Sequence, residues 1–158
     1  MEKVRLNIFN DDFKDFIESL NKFDVEYILI GGYAVVLHGY HRTTGDLDIW
    51  VNQTESNFNK LLKAFSFFGF PTHAIDLKRF LNADDYNVFT FGRPPMAIDI
   101  VTSIQGVDFE NAMKNIKKIE VQGIEINLLS MSDLVSTKKA SGRYKDLDDL
   151  DNLDYDNI

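Results

Sequence analysis

Two carboxylates stand one residue apart at the start of a predicted strand. Asp46 and Asp48 alternate with the apolar residues Leu47, Ile49 and Val51. Side chains two positions apart in a strand share a face, so both carboxylates face one side and the apolar residues face the other. Carboxylates held side by side repel each other, and a divalent cation between them relieves that repulsion. The pair therefore predicts a cation site on one face of the strand.

A third carboxylate, Asp99, lies inside the apolar strand predicted over residues 96–102. An acid in such a strand is costly unless it is ion-paired, hydrogen-bonded or metal-bound, so a structural pair with Lys or Arg is the alternative. If this strand lies beside the strand predicted over 47–52, Asp99 joins Asp46 and Asp48 in one cluster. Three carboxylates without His or Cys favour Mg²⁺, with Mn²⁺ as the alternative. Such a cluster suits phosphoryl or nucleotidyl transfer.

A glycine pair, Gly31-Gly32, stands between a predicted strand over 26–30 and a predicted helix over 32–38. Without Cβ atoms the backbone can approach a phosphate closely, and the N-terminus of a helix offers N–H groups and a positive dipole end. The glycine pair thus indicates that a cation nearby would bind a phosphate-containing ligand. A tight strand-to-helix turn without function is the alternative.

Composition favours a packed domain and excludes several classes of site. Of the 158 residues, 44% are hydrophobic and 13 are Phe, and Cys is absent, which excludes disulfides and thiolate-based zinc sites. No apolar run approaches the ~20 residues of a membrane span. The N-terminus lacks the apolar region of a signal peptide, so we expect a cytoplasmic protein with no membrane partner.

The negative charge is concentrated at one end of the chain. The net charge is −8, but residues 146–158 hold six Asp and no Lys or Arg, which leaves −2 for the rest. Such a chain is not expected to present an extended nucleic-acid surface. The Asp-rich end itself is typical of a solvated helix face.

Periodicity predicts an α/β fold, with a mixed β-sheet flanked by helices in a single compact domain over 1–158. The core is expected over about 25–153, followed by an acidic C-terminal helix over 146–158. Further helices are predicted over 11–22, 76–81, 108–115 and 131–141 and after Thr54, and strands over 86–91, 118–121 and 124–128. Strands 86–91 and 96–102, and strands 118–121 and 124–128, each read as an antiparallel hairpin.

Other polar residues have two interpretations each. Lys138 is either a solvated helix residue or a phosphate ligand, and Arg42 either contacts phosphate or caps a helix end. Arg143 and Lys145 are expected to pair with neighbouring Asp residues. Trp50 is expected in the core, with a position beside a nucleobase as the alternative.

The ordered set of motifs resembles a known superfamily. Strand-Gly31-Gly32-helix, then Arg42-Thr-Thr-Gly-Asp-Leu-Asp48, then Asp99 in a later strand, is similar to the DNA polymerase beta-like nucleotidyltransferases. The closer resemblance is to a small prokaryotic branch that includes nucleotidyltransferase-type toxins of abortive-infection systems. The segments 128–138 and 142–146 also resemble the C-terminal helical part of that branch.

The resemblance implies an activity and a set of site residues. It implies a Mg²⁺-dependent transfer of an NMP from an NTP to a hydroxyl acceptor, with release of pyrophosphate. Asp46, Asp48 and Asp99 would hold the metal, and Asp99 would also act as base. The nucleotide-binding residues it implies are Gly31, Gly32, Arg42, Thr44 and Lys138.

Two matters stay open at the level of sequence. The acceptor could be a tRNA, a protein or a small molecule, and Gly-Gly stands where many superfamily members have Gly-Ser. The alternative function is that of a toxin–antitoxin component that acts mainly by binding a partner, with catalysis secondary or lost.

Overall fold

The computed structural model describes residues 1–82, 88–93 and 96–153. In this part of the chain, seven strands form one mixed sheet in the order β1-β6-β7-β2-β3-β5-β4. The strands are β1 (Glu2–Val4), β2 (Tyr27–Ile30), β3 (Leu47–Val51), β4 (Val88–Phe91), β5 (Ile98–Val101), β6 (Lys117–Val121) and β7 (Ile124–Leu128). The helices are α1 (Asp11–Lys22), α2 (Gly31–Leu37), α3 (Glu55–Phe68), α4 (Leu77–Leu81), α5 (Phe109–Lys114), α6 (Met131–Ser141) and α7 (Tyr144–Asn152). The predicted α/β class with a mixed sheet is confirmed.

Local sequence signals set most of the helix ends. Asn10, Thr54 and Ser130 each accept a hydrogen bond from the backbone N–H three residues later, which satisfies a donor left free at the start of α1, α3 and α6. Gly69 and Gly142 end α3 and α6 in the left-handed conformation that favours glycine. These caps are short-range features, which is why the sequence predicts them closely.

The structure adds two elements that the sequence pattern does not predict. β1 is a short edge strand that pairs in parallel with β6, and residues Thr72–Ala74 form a short 3₁₀ turn. Both predicted hairpins are present as β4–β5 and β6–β7. The first two residues of the strand predicted over 86–91, the two prolines of the turn before β5 and the end of the predicted acidic helix lie outside the described residues.

The sheet separates an apolar face from the face that carries the candidate site. On one face Leu47, Ile49 and Ile100 pack with α1 and α3 in the larger core cluster. On the other face Trp50 and Leu134 belong to a second cluster beneath α5 and α6. Because alternate residues of β3 point to opposite faces, Asp48 shares the second face with Trp50. In the described part of the chain, no helix is both long enough and apolar enough to span a membrane.

Candidate active site

The pairing of β3 with β5 brings Asp48 and Asp99 side by side. These strands are parallel neighbours, and the two Asp residues are direct partners in the register. Burial raises the pKa of Asp48 to about 7, with the charge of Asp99 and a hydrogen bond with Asp99 as the next causes. The two carboxylates therefore form a coupled pair that is short of positive charge, which is the condition that a cation relieves.

Asp46 lies just before β3 and reaches the same region from a different anchor. Its Oδ1 accepts a hydrogen bond of 3.3 Å from the backbone N–H of Ala97, just before β5. Its charge contributes to the raised pKa of Asp48 and, after burial, to that of Tyr33. Asp46 thus belongs to the same electrostatic cluster as Asp48 and Asp99.

The donor set fits a hard cation that is shared with substrate. In residues 1–82, 88–93 and 96–153, no three or more His, Cys, Asp or Glu side chains are arranged to hold a metal ion among themselves. Mg²⁺ is commonly held by one or two carboxylates, with substrate phosphates and water completing its octahedron. The Asp48–Asp99 pair offers carboxylate oxygens of that kind, so the residues present fit such an ion.

Thr90 is a neighbour of the site that the sequence pattern does not single out. It is the register partner of Asp99 on β4, and its Oγ1 donates a hydrogen bond of 2.7 Å to Asp99 Oδ1. A hydroxyl that donates to one carboxylate oxygen restrains the orientation of that carboxylate. Only the pairing register, and no local motif, could have revealed this contact.

The glycine pair lies directly against the carboxylates and the loop before β3. Gly31 has φ +72°, and a Cβ at this position would overlap the carboxyl group of Asp48. A Cβ at Gly32 would overlap the side chain of Thr44 and lie 3.4 Å from Nη1 of Arg42. The structure therefore places Gly31 against Asp48 and places Thr44 and Arg42 against the adjacent Gly32, and a side chain at position 31 displaces the Asp48 carboxylate.

A cleft of about 610 Å³ opens between the carboxylate face of the sheet and α6, within the range typical of small-molecule sites. Gly31, Asp48 and Asp99 line it on the sheet side. Lys138 of α6 and Arg143, which precedes α7, line it on the other. Acidic and basic groups thus face each other across one cavity.

Two aspartates of α7 bind the three cations that line this cleft or lie behind it. Lys138 Nζ lies 2.8 Å from Asp146 Oδ1 and 2.9 Å from Asp149 Oδ2. Arg42 donates to Asp149 through Nε at 2.8 Å and Nη2 at 3.2 Å. Arg143 Nε donates to Asp146 Oδ2 at 2.8 Å. These ion pairs link the loop before β3, α6 and α7.

Burial on its own would raise the pKa of Asp146, but hydrogen bonds from Arg143, Lys138 and Ser141 outweigh it and lower the pKa to about 2. Asp146 therefore stays ionised next to the cleft. Arg143 pairs with an Asp as predicted, whereas Lys145 acts on Asp48, whose pKa its charge lowers.

The prediction of a solvated acidic face is wrong for two residues of α7. Asp146 is 2% exposed and Asp149 is 0% exposed, whereas Leu147 is 44% exposed. Lys138 is also buried, at 8% exposure, so its interpretation as a solvated helix residue is wrong too. Buried acids are retained here because each has a cationic partner.

Trp50 belongs to the core, as expected. It is 1% exposed and packs edge-on against Phe109, with ring centroids 5.1 Å apart. It supports the sheet beneath the cleft and is absent from the cleft lining.

Residues 6–156 match a family described as nucleotidyltransferases of unknown function, DUF6036. The chain belongs to this family. It is also similar in fold to the crystal structure of a protein from Thermotoga maritima that carries a provisional nucleotidyltransferase assignment, with a TM-score of 0.61 and 15% identity over 87% of each chain. No curated protein is significantly similar to it.

Membership of this family supports a transferase activity for the chain. The structural similarity, at its low sequence identity, supports the shared α/β fold. The prediction of a nucleotidyltransferase family is therefore confirmed, whereas the DNA polymerase beta-like superfamily and its toxin-like branch stay predictions.

Proposed function

We propose that the protein is a Mg²⁺-dependent nucleotidyltransferase that moves an NMP from an NTP to a hydroxyl acceptor and releases pyrophosphate. The observation that carries this proposal is the contact between Gly31 and Asp48. It places a strand-to-helix turn without side chains directly against half-buried Asp48, one member of the carboxylate pair. A phosphate chain and its cation need both features at one point.

Asp48 and Asp99 would hold the cation, with Asp46 beside them. When bound, Mg²⁺ supplies positive charge that stabilises the attacking and leaving oxygens of an in-line displacement. The Asp48 pKa of about 7 supports this assignment, because a carboxylate that resists ionisation in a carboxylate pair gains most from a nearby cation.

The transfer itself needs a base for the acceptor hydroxyl. The hydroxyl oxygen attacks the α-phosphorus, the bond from the α-phosphorus to its bridging oxygen breaks, and pyrophosphate leaves with that electron pair. We assign the acceptor proton to Asp99, whose carboxylate Thr90 keeps oriented through a 2.7 Å hydrogen bond. A base must lie within hydrogen-bond reach of the proton that it takes, and Asp99 lines the cleft.

The basic wall of the cleft suits the phosphates. Lys138 and Arg143 line the cavity, and Arg42 lies beside Gly32. Opposed cations of this kind clamp phosphoryl groups and stabilise the charge that develops in the transition state. Thr44, whose hydroxyl also lies against Gly32, completes the predicted set.

The acceptor and the biological setting stay predictions from the sequence. A tRNA, a protein hydroxyl and a small molecule each fit a hydroxyl acceptor, and the partner-binding role in a toxin–antitoxin pair has no observation in its favour among the described residues. The cleft, with acids facing cations, favours the enzymatic function over that alternative.

Isothermal titration with nonhydrolysable NTPs in the presence and absence of Mg²⁺ tests the proposal. Wild-type protein is expected to bind at least one NTP in a Mg²⁺-dependent manner, and Asp48→Asn is expected to lose most of that dependence. Asp148→Asn, an exposed change on α7, serves as the control. Absence of Mg²⁺-dependent binding for all four NTPs would contradict the proposal.

A further inference from the structure

One carboxylate of the ion-pair network never reaches the cleft. Asp149 is completely buried and is not among the residues that line the cavity. It nevertheless holds Arg42 through two hydrogen bonds, at 2.8 Å and 3.2 Å, and Lys138 at 2.9 Å. Both cations therefore share one anchor that substrate cannot touch.

The two cations come from separate elements of the fold. Arg42 belongs to the loop between α2 and β3, and its guanidinium lies beside Gly32. Lys138 belongs to α6 and lines the opposite side of the cavity. Because α7 supplies the shared carboxylate, this helix fixes the separation between the glycine side and the α6 side of the cleft.

The geometry restricts Arg42 more than a simple charge contact does. A guanidinium that donates two bonds to one carboxylate is fixed in orientation as well as in position. Buried ion pairs are weak contributors to net stability, since desolvation offsets much of their attraction. Removal of one member of such a network nevertheless destabilises the fold, because the remaining charges are left buried and unpaired, so the effect of Asp149 on the two cations is measured by binding in variants that stay folded.

We propose that Asp149 is a positioning residue for nucleotide binding, which holds Arg42 and Lys138 at a fixed separation so that both meet the phosphates of one NTP. This inference rests on the proposed function, because it assigns the cleft to a triphosphate. It also makes Asp149 of α7 a functional part of the active site, although this residue does not line the cavity.

Positioning and simple electrostatics predict opposite results when the Asp149 charge is removed. Arg42, Lys138 and Arg143 face Asp146 and Asp149 in the network, so the group carries one excess positive charge. Asp149→Asn raises that excess and, through charge alone, would attract a triphosphate more strongly. If Asp149 acts by placement, the same change weakens NTP binding.

The experiment measures the affinity for nonhydrolysable NTPs in Mg²⁺ by isothermal titration. We expect Asp149→Asn to bind NTP at least tenfold more weakly than wild type. Asp148→Asn is the matched control, because it removes the same charge from the adjacent position of α7, where the side chain accepts a bond from the exposed Tyr40 hydroxyl. Its affinity is expected to stay within twofold of wild type.

A second background distinguishes positioning from a general loss of structure. In Arg42→Gln/Lys138→Met, the cations that Asp149 places are absent, so adding Asp149→Asn is expected to change affinity by less than twofold. A merely structural role of Asp149 would weaken binding equally in both backgrounds. Thermal unfolding, followed by circular dichroism, monitors the folded fraction of each variant.

Equal or tighter binding by Asp149→Asn overturns the inference while wild-type binding keeps the proposed function intact. The inference is also overturned if adding Asp149→Asn to Arg42→Gln/Lys138→Met lowers NTP affinity as much as it does in wild type. No NTP binding by wild type overturns both. If Asp149→Asn does not fold, Arg42→Gln and Lys138→Met are combined: losses smaller than additive support a shared anchor, and additive losses contradict it.

Discussion

Two pairs of aspartates have opposite surroundings: the sheet pair, Asp48 and Asp99, and the α7 pair, Asp146 and Asp149. The sheet pair is half-buried and lines the cleft, whereas the α7 pair is buried. Asp48 faces another carboxylate, and its pKa rises to about 7. Asp146 faces two cations and a hydroxyl, and its pKa falls to about 2. Aspartate on the sheet therefore lacks a compensating positive charge, whereas aspartate in α7 has one.

This contrast separates a binding site from its support. Carboxylates whose neighbours disfavour ionisation are ready for a ligand that supplies charge, and such perturbed groups cluster at functional sites. Carboxylates that are saturated by Lys138, Arg42 and Arg143 have no such need and instead hold those cations in place. Changes to the sheet pair should therefore affect ligand binding most, a change to Asp149 should weaken binding less, and a change to Asp146 should affect stability at low pH.

Gly31→Ala is expected to give the largest effect, because it disturbs the sheet pair directly. The added methyl group overlaps the Asp48 carboxyl group, and the residue has φ +72°. Disturbing a group that orients a metal ligand typically costs 10- to 100-fold in metal affinity, and because Gly31→Ala displaces the proposed ligand itself, we expect a loss on the order of 10²-fold in Mg²⁺-dependent NTP affinity, measured by titration.

The control for Gly31→Ala is Gly39→Ala. Gly39 has φ +112°, and nothing lies within 4 Å of a Cβ built there, so this variant carries the backbone strain without the overlap. Similar losses of NTP affinity in both variants would show that backbone strain, rather than the Asp48 contact, causes the effect.

The sequence predicts the sheet pair well and the α7 pair poorly, for physical reasons. Asp48 and Asp99 are acids in apolar strands, and Asp46 directly precedes one, so each breaks a short-range pattern that is visible without the fold. Asp146 and Asp149 lie in a segment with six Asp, where composition favours solvation. The partner of buried Asp149, Arg42, is more than a hundred positions away in sequence, and the partners of buried Asp146, Lys138 and Arg143, become recognisable only once α6 and α7 pack together. Local signals made other features predictable, namely the helix caps at Asn10, Thr54 and Ser130 and the two hairpins. The Thr90 contact depends on strand register alone and was not predictable in this way.

The second-largest expected effect is the contribution of Asp48 to the pH dependence of the unfolding free energy. Its pKa is about 7 in the folded protein, above its ordinary value of 3.8. The folded state therefore keeps a proton that the unfolded state loses, so this contribution to stability is present below pH 4 and lost as the pH rises through 7. The pKa rise corresponds to at most about 4 kcal/mol.

Urea unfolding of the protein without divalent cations, at several pH values from 4 to 8, measures this effect. In wild type the unfolding free energy is expected to fall between pH 4 and pH 8. Asp48→Asn is expected to show little of this fall and to be more stable than wild type at pH 8. Added Mg²⁺ is expected to stabilise wild type at pH 8 more than the variant. An identical pH slope in the two proteins would remove Asp48 as its source.

The smallest expected effect comes from Asp146 and has the opposite sign. Its folded-state pKa of about 2 lies below its ordinary 3.8, so its contribution is present above pH 4 and is lost as the pH falls towards 2. The difference corresponds to at most about 2 kcal/mol. Asp146→Asn should therefore flatten the acid limb of the unfolding curve between pH 4 and 2, while Asp151→Asn, an exposed change on the same helix, should leave it unchanged. If Asp146→Asn instead altered the slope between pH 4 and 7, Asp48 and Asp146 would titrate together across the cleft, and the distinction between binding site and support would fail.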